Sequence, residues 1–180
     1  MITLKSVLKE LIKQNNSTII ESSEEEAWEL VGQKDSNISS VVKKAGFEYD
    51  EESVKKLIPI IEKIPVTTIS PSQIVKLKNF NNKPGEESLI KDILTSSKSK
   101  DPRQGYIDIM TKRDKKDSDR QRGYDVGSLY DKVVQGEYEP PVLIKIKGDL
   151  YVIGGRTRLY AALASNKSVK VKILDDSNLE

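Results

Sequence analysis

Hydrophobic residues in the first third of the chain recur at helical spacing. Residues 3–13 place apolar side chains every three or four positions, which predicts an amphipathic helix. Three further helices are predicted downstream, one with Ser23 as N-cap and one with Asp50 as N-cap. Pro59 is expected to kink or shorten the last of them, because proline lacks the backbone N–H that a helix interior uses. Residues 1–64 are therefore predicted to form a small helical appendage.

Two features of this appendage leave alternatives open. The last two predicted helices, joined by AGFEYD, could form a helix-turn-helix or belong to an accessory bundle, and the bundle is favoured because any short helical hairpin has this pattern. Trp28 could anchor the core of that bundle or offer an exposed stacking platform. The core anchor is the simpler interpretation.

The pattern changes from helical spacing to short β-branched runs at residue 65. PVTTISP predicts a strand that stops at Pro71, and PSQIVKLKNF is then expected to be a turn into weakly ordered chain. A short helix led by Glu86 and Glu87 follows. Residues 96–123 are the least core-like part of the chain, which predicts a long loop or mobile segment.

The final third has the most regular pattern. DVGSLYDKVVQGEY predicts a helix with Ser128 as N-cap and Asp131 completing a capping box. Two apolar runs around Gly148 and Asp149 predict a hairpin with a two-residue turn. RTRLYAALASN predicts a helix, SVKVKIL predicts a closing strand, and the terminal DDSNLE is expected to fray.

Composition narrows the chemistry. The 180 residues include no Cys and no His, which excludes disulfides, thiolate metal sites, a cysteine nucleophile and a histidine base. Hard metals such as Mg²⁺ are the ions that the remaining carboxylates would bind. The net charge of +2 implies no global field, no stretch reaches the length of a membrane span, and the amphipathic start does not resemble a secretory signal. We therefore expect a cytoplasmic protein with no membrane partner.

Positive charge is concentrated locally between residues 98 and 122. This segment contains nine Lys or Arg and five Asp, with tyrosines near both ends. Such a segment suits phosphate contact and base stacking, so DNA is a candidate partner. The candidate nucleic-acid contacts are Lys112, Arg113, Lys115, Lys116, Arg120 and Arg122.

The stretch LYVIGGRTRLYAAL carries the clearest candidate site. A strand that passes through two glycines into a helix directs backbone N–H groups outward, and the glycines allow close approach of a ligand. Each arginine at a helix N-terminus costs about 0.3–1 kcal/mol, unless an anion binds there. The alternative is that the arginines are solvated or paired with Asp149 or the C-terminal carboxylates. The candidate phosphate ligands are Gly154, Gly155, Arg156, Thr157 and Arg158.

The order of these features resembles the ParB/sulfiredoxin superfamily. Sulfiredoxins have Pro-Pro before the strands, a Gly-Gly-Cys-His-Arg turn and an Ala-Ala helix, and this chain is similar at residues 140–141, 154–158 and 161–162. The SPSQ segment, which ends at Gln73, is similar to the Asn-Pro-x-Gln of ParB proteins. The resemblance implies an α+β fold, a small mixed sheet with flanking helices, over residues 65–180, with residues 96–123 as a basic insertion. It also implies nucleotide-phosphate binding at the turn, with Gln73 as a further ligand.

Departures from the family pattern limit what the resemblance implies. Arg156 stands where sulfiredoxins have their cysteine and ParB proteins a glutamate, which excludes sulfinic-acid repair and puts ParB-type CTP hydrolysis in doubt. The free serine kinases of this fold have an aspartate and a glutamate where this chain has Gly154 and Gln73. A catalytic acid would therefore come from elsewhere. The candidates are Glu87, Glu86 and Asp125, although their simpler interpretation is as acids at helix N-termini.

Two functions follow as expectations. The first is a kinase-like, ATP-dependent phosphotransferase that uses ATP or another nucleotide with Mg²⁺ and acts on a hydroxyl, with DNA or a modified base as candidate acceptors. The alternative is a ParB-like DNA-binding or nuclease-type module without phosphotransfer. A protein that kept the fold but lost the ligand is a third, less favoured hypothesis.

Overall fold

The computed structural model describes residues 22–80, 86–116 and 125–180, without the side chains at positions 86, 87, 115 and 116. The helix predicted over residues 3–13 lies outside these residues. The chain divides into two compact units, one comprising Met1–Pro65 with Leu174–Glu180 and the other Val66–Ile173. No described helix is long and apolar enough to cross a membrane.

The first unit is helical in its described part. Its elements are α1 (22–31), α2 (Ser36–Lys44), α3 (Glu51–Lys63) and a 3₁₀ turn at Asp176–Leu179. Aspartates cap α2 and α3, because Asp35 accepts from the Asn37 N–H at 2.9 Å and Asp50 accepts from the Ser53 N–H at 2.7 Å. The core is aliphatic and includes Ala27, Leu30, Ile38, Val42, Val54, Leu57 and Ile61.

Two expectations for this unit are wrong, those for Ser23 and for the terminal residues, and the shortening that Pro59 could cause does not occur. Ser23 is not an N-cap, since the helix already includes residue 22 and Ser23 is buried within it. Pro59 does not shorten α3, which continues to Lys63, because the ring lies on the exposed side and removes only one donor. The terminal residues are not frayed, since they form the 3₁₀ turn and bury Leu179.

The second unit combines helices with a mixed four-stranded sheet. Its strands are β1 (Val66–Ile69), β2 (Val142–Ile146), β3 (Asp149–Gly154) and β4 (Val169–Asp175, of which the last two residues are counted with the first unit), in the order β1-β4-β2-β3. Its helices are α4 (Pro71–Ile74), α5 (Glu86–Ser96), α6 (Pro102–Lys116), α7 (Val126–Gln135) and α8 (Arg156–Ala164). The prediction of a mixed α+β fold is confirmed.

Helix α8 is the centre of this unit. Every residue from Leu159 to Ala164 is buried, and α4, α5, α6 and α7 all pack against this helix. Small Ala161 and Ala162 side chains allow these helices to approach closely. The turn that precedes α8 is therefore held between a buried helix and the sheet.

The described part of the predicted long loop, residues 96–116, is mostly helical, and residues 117–123 lie outside the described residues. Helix α6 covers most of them, and Tyr106 and Met110 are completely buried. These two residues are four positions apart, on the same side of the helix, while most of the others are polar. Close packing also helps, since a Cβ on Gly105 would lie 2.0 Å from the Ser96 Oγ on α5.

Residues 77–80 close the outer edge of β3, so the prediction of weak order here is wrong. The Lys78 N–H donates to the Leu150 carbonyl at 2.9 Å. The buried Asn79 side chain accepts from the Val152 N–H at 2.5 Å and donates to the Val152 carbonyl at 2.7 Å. A side-chain amide thereby replaces a neighbouring strand.

The β2–β3 turn lies one residue earlier than predicted. Lys147 and Gly148 both have positive φ, 51° and 89°, and Ile146 pairs with Asp149. Two consecutive positive φ angles are typical of tight hairpin turns, in which glycine at the second position carries no steric cost. Asp149 is therefore the first residue of β3.

Candidate functional site

The turn between β3 and α8 is shaped by a contact between a glycine and a proline. Gly154 ends β3, and Gly155 takes the left-handed conformation with φ 84° and ψ 22°. A Cβ at Gly155 would lie 2.8 Å from the Pro141 Cβ and 2.9 Å from its Cα. Only glycine satisfies both the conformation and the contact. The Gly-Gly and Pro-Pro motifs of the sequence thus meet in space.

The N-terminus of α8 differs from those of α2, α3 and α7. Aspartates cap α2, α3 and α7, whereas no side chain caps α8. Within the described part of the chain, the backbone N–H groups of Gly155 and Thr157 donate to no acceptor. Two donors are therefore left at the positive end of a helix dipole.

The two arginines lie on different sides of this helix end. They are two positions apart, which separates them by about 200° around the axis. Arg156 Nη1 donates to the Phe80 carbonyl at 3.4 Å, and Arg158 Nη1 donates to the Glu139 carbonyl. Arg158 forms no ion pair with any described residue. The guanidinium groups thus flank the turn, and Asp149 pairs with Lys78 at 3.6 Å.

Helix α6 packs beside the same turn. The Tyr106 hydroxyl donates to the Thr157 carbonyl at 3.2 Å. The Tyr160 ring stacks on Phe80 with centroids 4.9 Å apart, and the Arg113 guanidinium lies 5.4 Å from the Tyr160 centroid. This distance is within the range of a cation–π contact. The structure therefore brings one predicted nucleic-acid contact, Arg113, next to the predicted phosphate site.

The other predicted basic contacts are less closely defined. Lys112 is exposed on α6, one residue before Arg113. Lys115 and Lys116 belong to the last turn of α6, but their side chains lie outside the described residues, as do Arg120 and Arg122 entirely. Basic residues at a helix C-terminus also stabilise the helix dipole, so their presence has a structural explanation as well.

Gln73 does not reach the turn through any hydrogen bond. Its Oε1 accepts from the Ser70 N–H at 2.8 Å and from the Ser70 hydroxyl at 3.1 Å. Ser70 is its hydrogen-bond partner within the described chain, and the pair caps the short helix α4. The structure thus gives this glutamine a local capping role.

The candidate catalytic acids occupy helix N-termini. Asp125 caps α7 by accepting from the Ser128 N–H at 2.7 Å, so Ser128 is not the N-cap. Glu86 and Glu87 begin α5, but their side chains lie outside the described residues. Among the residues that the structure describes, no three Asp or Glu converge as a metal site would require.

Asp131 does not complete a capping box. Its carboxylate accepts from Arg103 Nε at 2.8 Å and from Arg103 Nη2 at 2.7 Å, which joins α7 to α6. This bidentate pair lowers the pKa of Asp131, because the Arg103 guanidinium stabilises the ionised carboxylate by hydrogen bonds and charge. The same contact raises the pKa of Arg103.

An open groove lies in the helical unit. Trp28 is half-buried and meets Tyr49 edge to face, with ring centroids 5.2 Å apart. Tyr49 is 71% exposed, and both rings line an open groove of about 650 Å³ together with Glu25, Glu29 and Lys43. Trp28 is therefore neither a fully buried anchor nor a free platform.

Sequence reasoning missed Phe80, Asn79 and Tyr106, which support the turn from neighbouring segments. Their partners lie 51 to 76 positions away along the chain, so no local pattern signals these contacts. The aromatic residues near the start and end of the basic segment were the one available clue. No protein family, curated protein or solved structure matches the chain.

Proposed function

We propose that the β3–α8 turn binds a phosphate group of a nucleotide. The observation that carries this proposal is the uncapped N-terminus of α8, with Arg158 beside it and without an ion pair among the described residues. A phosphate here would accept from the Gly155 and Thr157 N–H groups and from the guanidinium. The bound charge would also offset the repulsion between the arginine and the helix dipole.

A kinase-like transfer of the phosphoryl group to a hydroxyl is the activity we propose for this site. The resemblance to the ParB/sulfiredoxin superfamily supports it, and phosphoryl transfer needs mainly positioning, Mg²⁺ and positive charge from a protein. Glu86 and Glu87, at the start of α5, are the acids we propose for a catalytic role, and α5 packs against α8. Asp125 is less suited, because its carboxylate already caps α7.

DNA binding without phosphotransfer is the second candidate. The position of α6 favours it, since Arg113 lies against Tyr160 of α8 and Lys112 is exposed next to it. Phosphates of a nucleic acid backbone would then contact both the end of α6 and the β3–α8 turn. Such binding should weaken steeply with salt, because each contacted phosphate releases counterions.

Nucleotide-dependent thermal shift tests the phosphate site. The wild-type protein should gain about 5–10 °C with saturating nucleotide, if binding supplies about 2.7 kcal/mol at a hundredfold excess over the dissociation constant. Arg158→Ala should lose most of that shift, whereas Lys170→Ala, which removes the same charge from an exposed position on β4, should keep it. If no nucleotide raised the melting temperature of the wild-type protein, the proposal would be overturned.

Two further assays separate the candidates. Incubation with γ-labelled ATP, Mg²⁺ and DNA, nucleosides or free amino acids should transfer label if the protein is a kinase. If none of these acceptors were labelled, phosphotransfer would be refuted, while the proposal of nucleotide binding would stand. Gel shift with duplex DNA at two salt concentrations should show retardation that Lys112→Ala/Arg113→Ala weakens, if the DNA-binding alternative holds.

A further inference from the structure

The two outer strands of the sheet differ in how their free edges are hydrogen-bonded. The free edge of β3 is covered by Lys78 and Asn79, which satisfy the backbone groups of Leu150 and Val152. Strand β1 is the other outer strand, and β4 is the one described strand with which it pairs. Its outward backbone groups form no hydrogen bond with any described residue.

The hydrogen bonds of β4 identify which groups of β1 face outward. The Lys172 N–H donates to the Pro141 carbonyl and the Lys170 N–H to the Tyr138 hydroxyl, on the side of β4 away from β1. Successive backbone groups of a strand alternate in direction, so Val169 and Val171 face β1. Their partners in the register are Ile69 and Thr67.

Val66 and Thr68 therefore direct their N–H and C=O groups away from the sheet. They are two residues apart, which is the spacing at which a strand presents both groups to a new neighbour. Val66 is 51% exposed, and Thr67 and Thr68 are exposed as well. Within its four residues, VTTI, the edge carries no lysine, no proline and no bulge, which are three of the features that protect an edge strand against pairing.

We propose that β1 is a self-association edge, which pairs antiparallel with β1 of a second copy of this chain. A twofold axis through Thr67 places Val66 opposite the partner's Thr68 and Thr68 opposite the partner's Val66. Each of these two pairs exchanges two backbone hydrogen bonds, so the contact satisfies all four outward N–H and C=O groups of each copy.

The side chains make this edge self-complementary. Val66 meets the partner's Thr68, Thr67 meets the partner's Thr67, and all are β-branched and uncharged, which are favourable cross-strand neighbours. A strand without charge offers nothing that selects a charged partner. Lys170 on β4 would lie three strand spacings, about 14 Å, from Lys172 of the partner copy, which exceeds the screening length of about 8 Å at physiological salt.

Sedimentation velocity of the full chain from about 10 μM to 1 mM tests this proposal. The wild-type protein should shift from monomer to dimer as its concentration rises. Thr68→Pro should weaken dimerisation at least tenfold without breaking the β1–β4 ladder, because proline removes an outward N–H and is tolerated on edge strands. Thr68→Val retains the N–H and should dimerise like the wild type.

A second variant covers the case in which Thr68→Pro does not fold. Thr67→Lys keeps every backbone group but places lysine opposite lysine across the axis, so it should dimerise poorly at low salt and recover at high salt. Hydrogen exchange should show concentration-dependent protection of the Val66 and Thr68 amides but not of Thr67. A wild-type monomer at every concentration, or a dimer that both folded variants retain, overturns the proposal.

Discussion

Gly155 lies so close to Pro141 that a Cβ on the glycine would sit 2.8 Å from the proline Cβ and 2.9 Å from its Cα. The same glycine has a φ of 84°, which a side chain strongly disfavours. The contact therefore fixes where β3 ends and where α8 begins. The position of the β3–α8 turn therefore depends on the contact between Gly155 and Pro141.

Gly155→Ala is predicted to destabilise the protein by about 2–4 kcal/mol, from the left-handed conformation and the overlap with Pro141 together. Gly148→Ala is the matched control, since Gly148 has a φ of 89° but nothing within 4 Å of its Cβ position. The control should lose only about 1–2 kcal/mol. Urea denaturation measures both, and equal losses would contradict the steric role of Pro141.

Asn79→Ala is predicted to destabilise the protein by about 2–6 kcal/mol. The substitution leaves the buried N–H and C=O of Val152 without partners, and each unsatisfied group costs about 1–3 kcal/mol. Lys78→Ala is the control, because it removes only a surface ion pair with Asp149, worth about 0–1 kcal/mol. Denaturation and exchange of the Val152 amide report the loss. An Asn79→Ala protein as stable as the control would show that β3 needs no edge cover.

The Arg103–Asp131 pair predicts a pH dependence of stability. The lowered pKa of Asp131 means that its contribution is present above the unfolded-state pKa, near 3.8, and is lost as pH falls through the folded-state pKa. The melting temperature of Asp131→Asn should therefore fall less than that of the wild type between pH 5 and pH 2. Asp92→Asn, at an exposed position on α5, should follow the wild type. Parallel curves for all three proteins would refute the contribution of the pair.

Elements that depend on neighbouring residues were predictable from the sequence. Asp50 caps α3 and Gly136 ends α7 in the left-handed conformation, because capping needs residues only a few positions away. The strand–turn–helix around Gly155 was also predicted. Its exact support was not, since Pro141 and Phe80 contribute from distant segments.

Elements that depend on distant contacts were missed. Asn79 completes the edge of a strand 73 positions later in the chain, and no local pattern distinguishes this role from that of a loop asparagine. The two arginines were expected to converge on one anion, yet the helical spacing places them on different sides of α8. Their guanidinium groups donate to the carbonyls of Phe80 and Glu139, two contacts with distant residues that no local pattern signals.

Residues 102–116 form helix α6 in the structure, whereas their sequence predicted a loop, and two substitutions in this helix distinguish the two. Met110→Ala should destabilise the protein by about 2–5 kcal/mol, because Met110 is completely buried. Thr111→Ala, at the next and exposed position, should change stability by less than about 0.5 kcal/mol. Urea denaturation of the two variants gives the comparison. If residues 96–123 were the mobile loop that their polar composition indicates, both substitutions would be neutral, because neither side chain would leave water on folding.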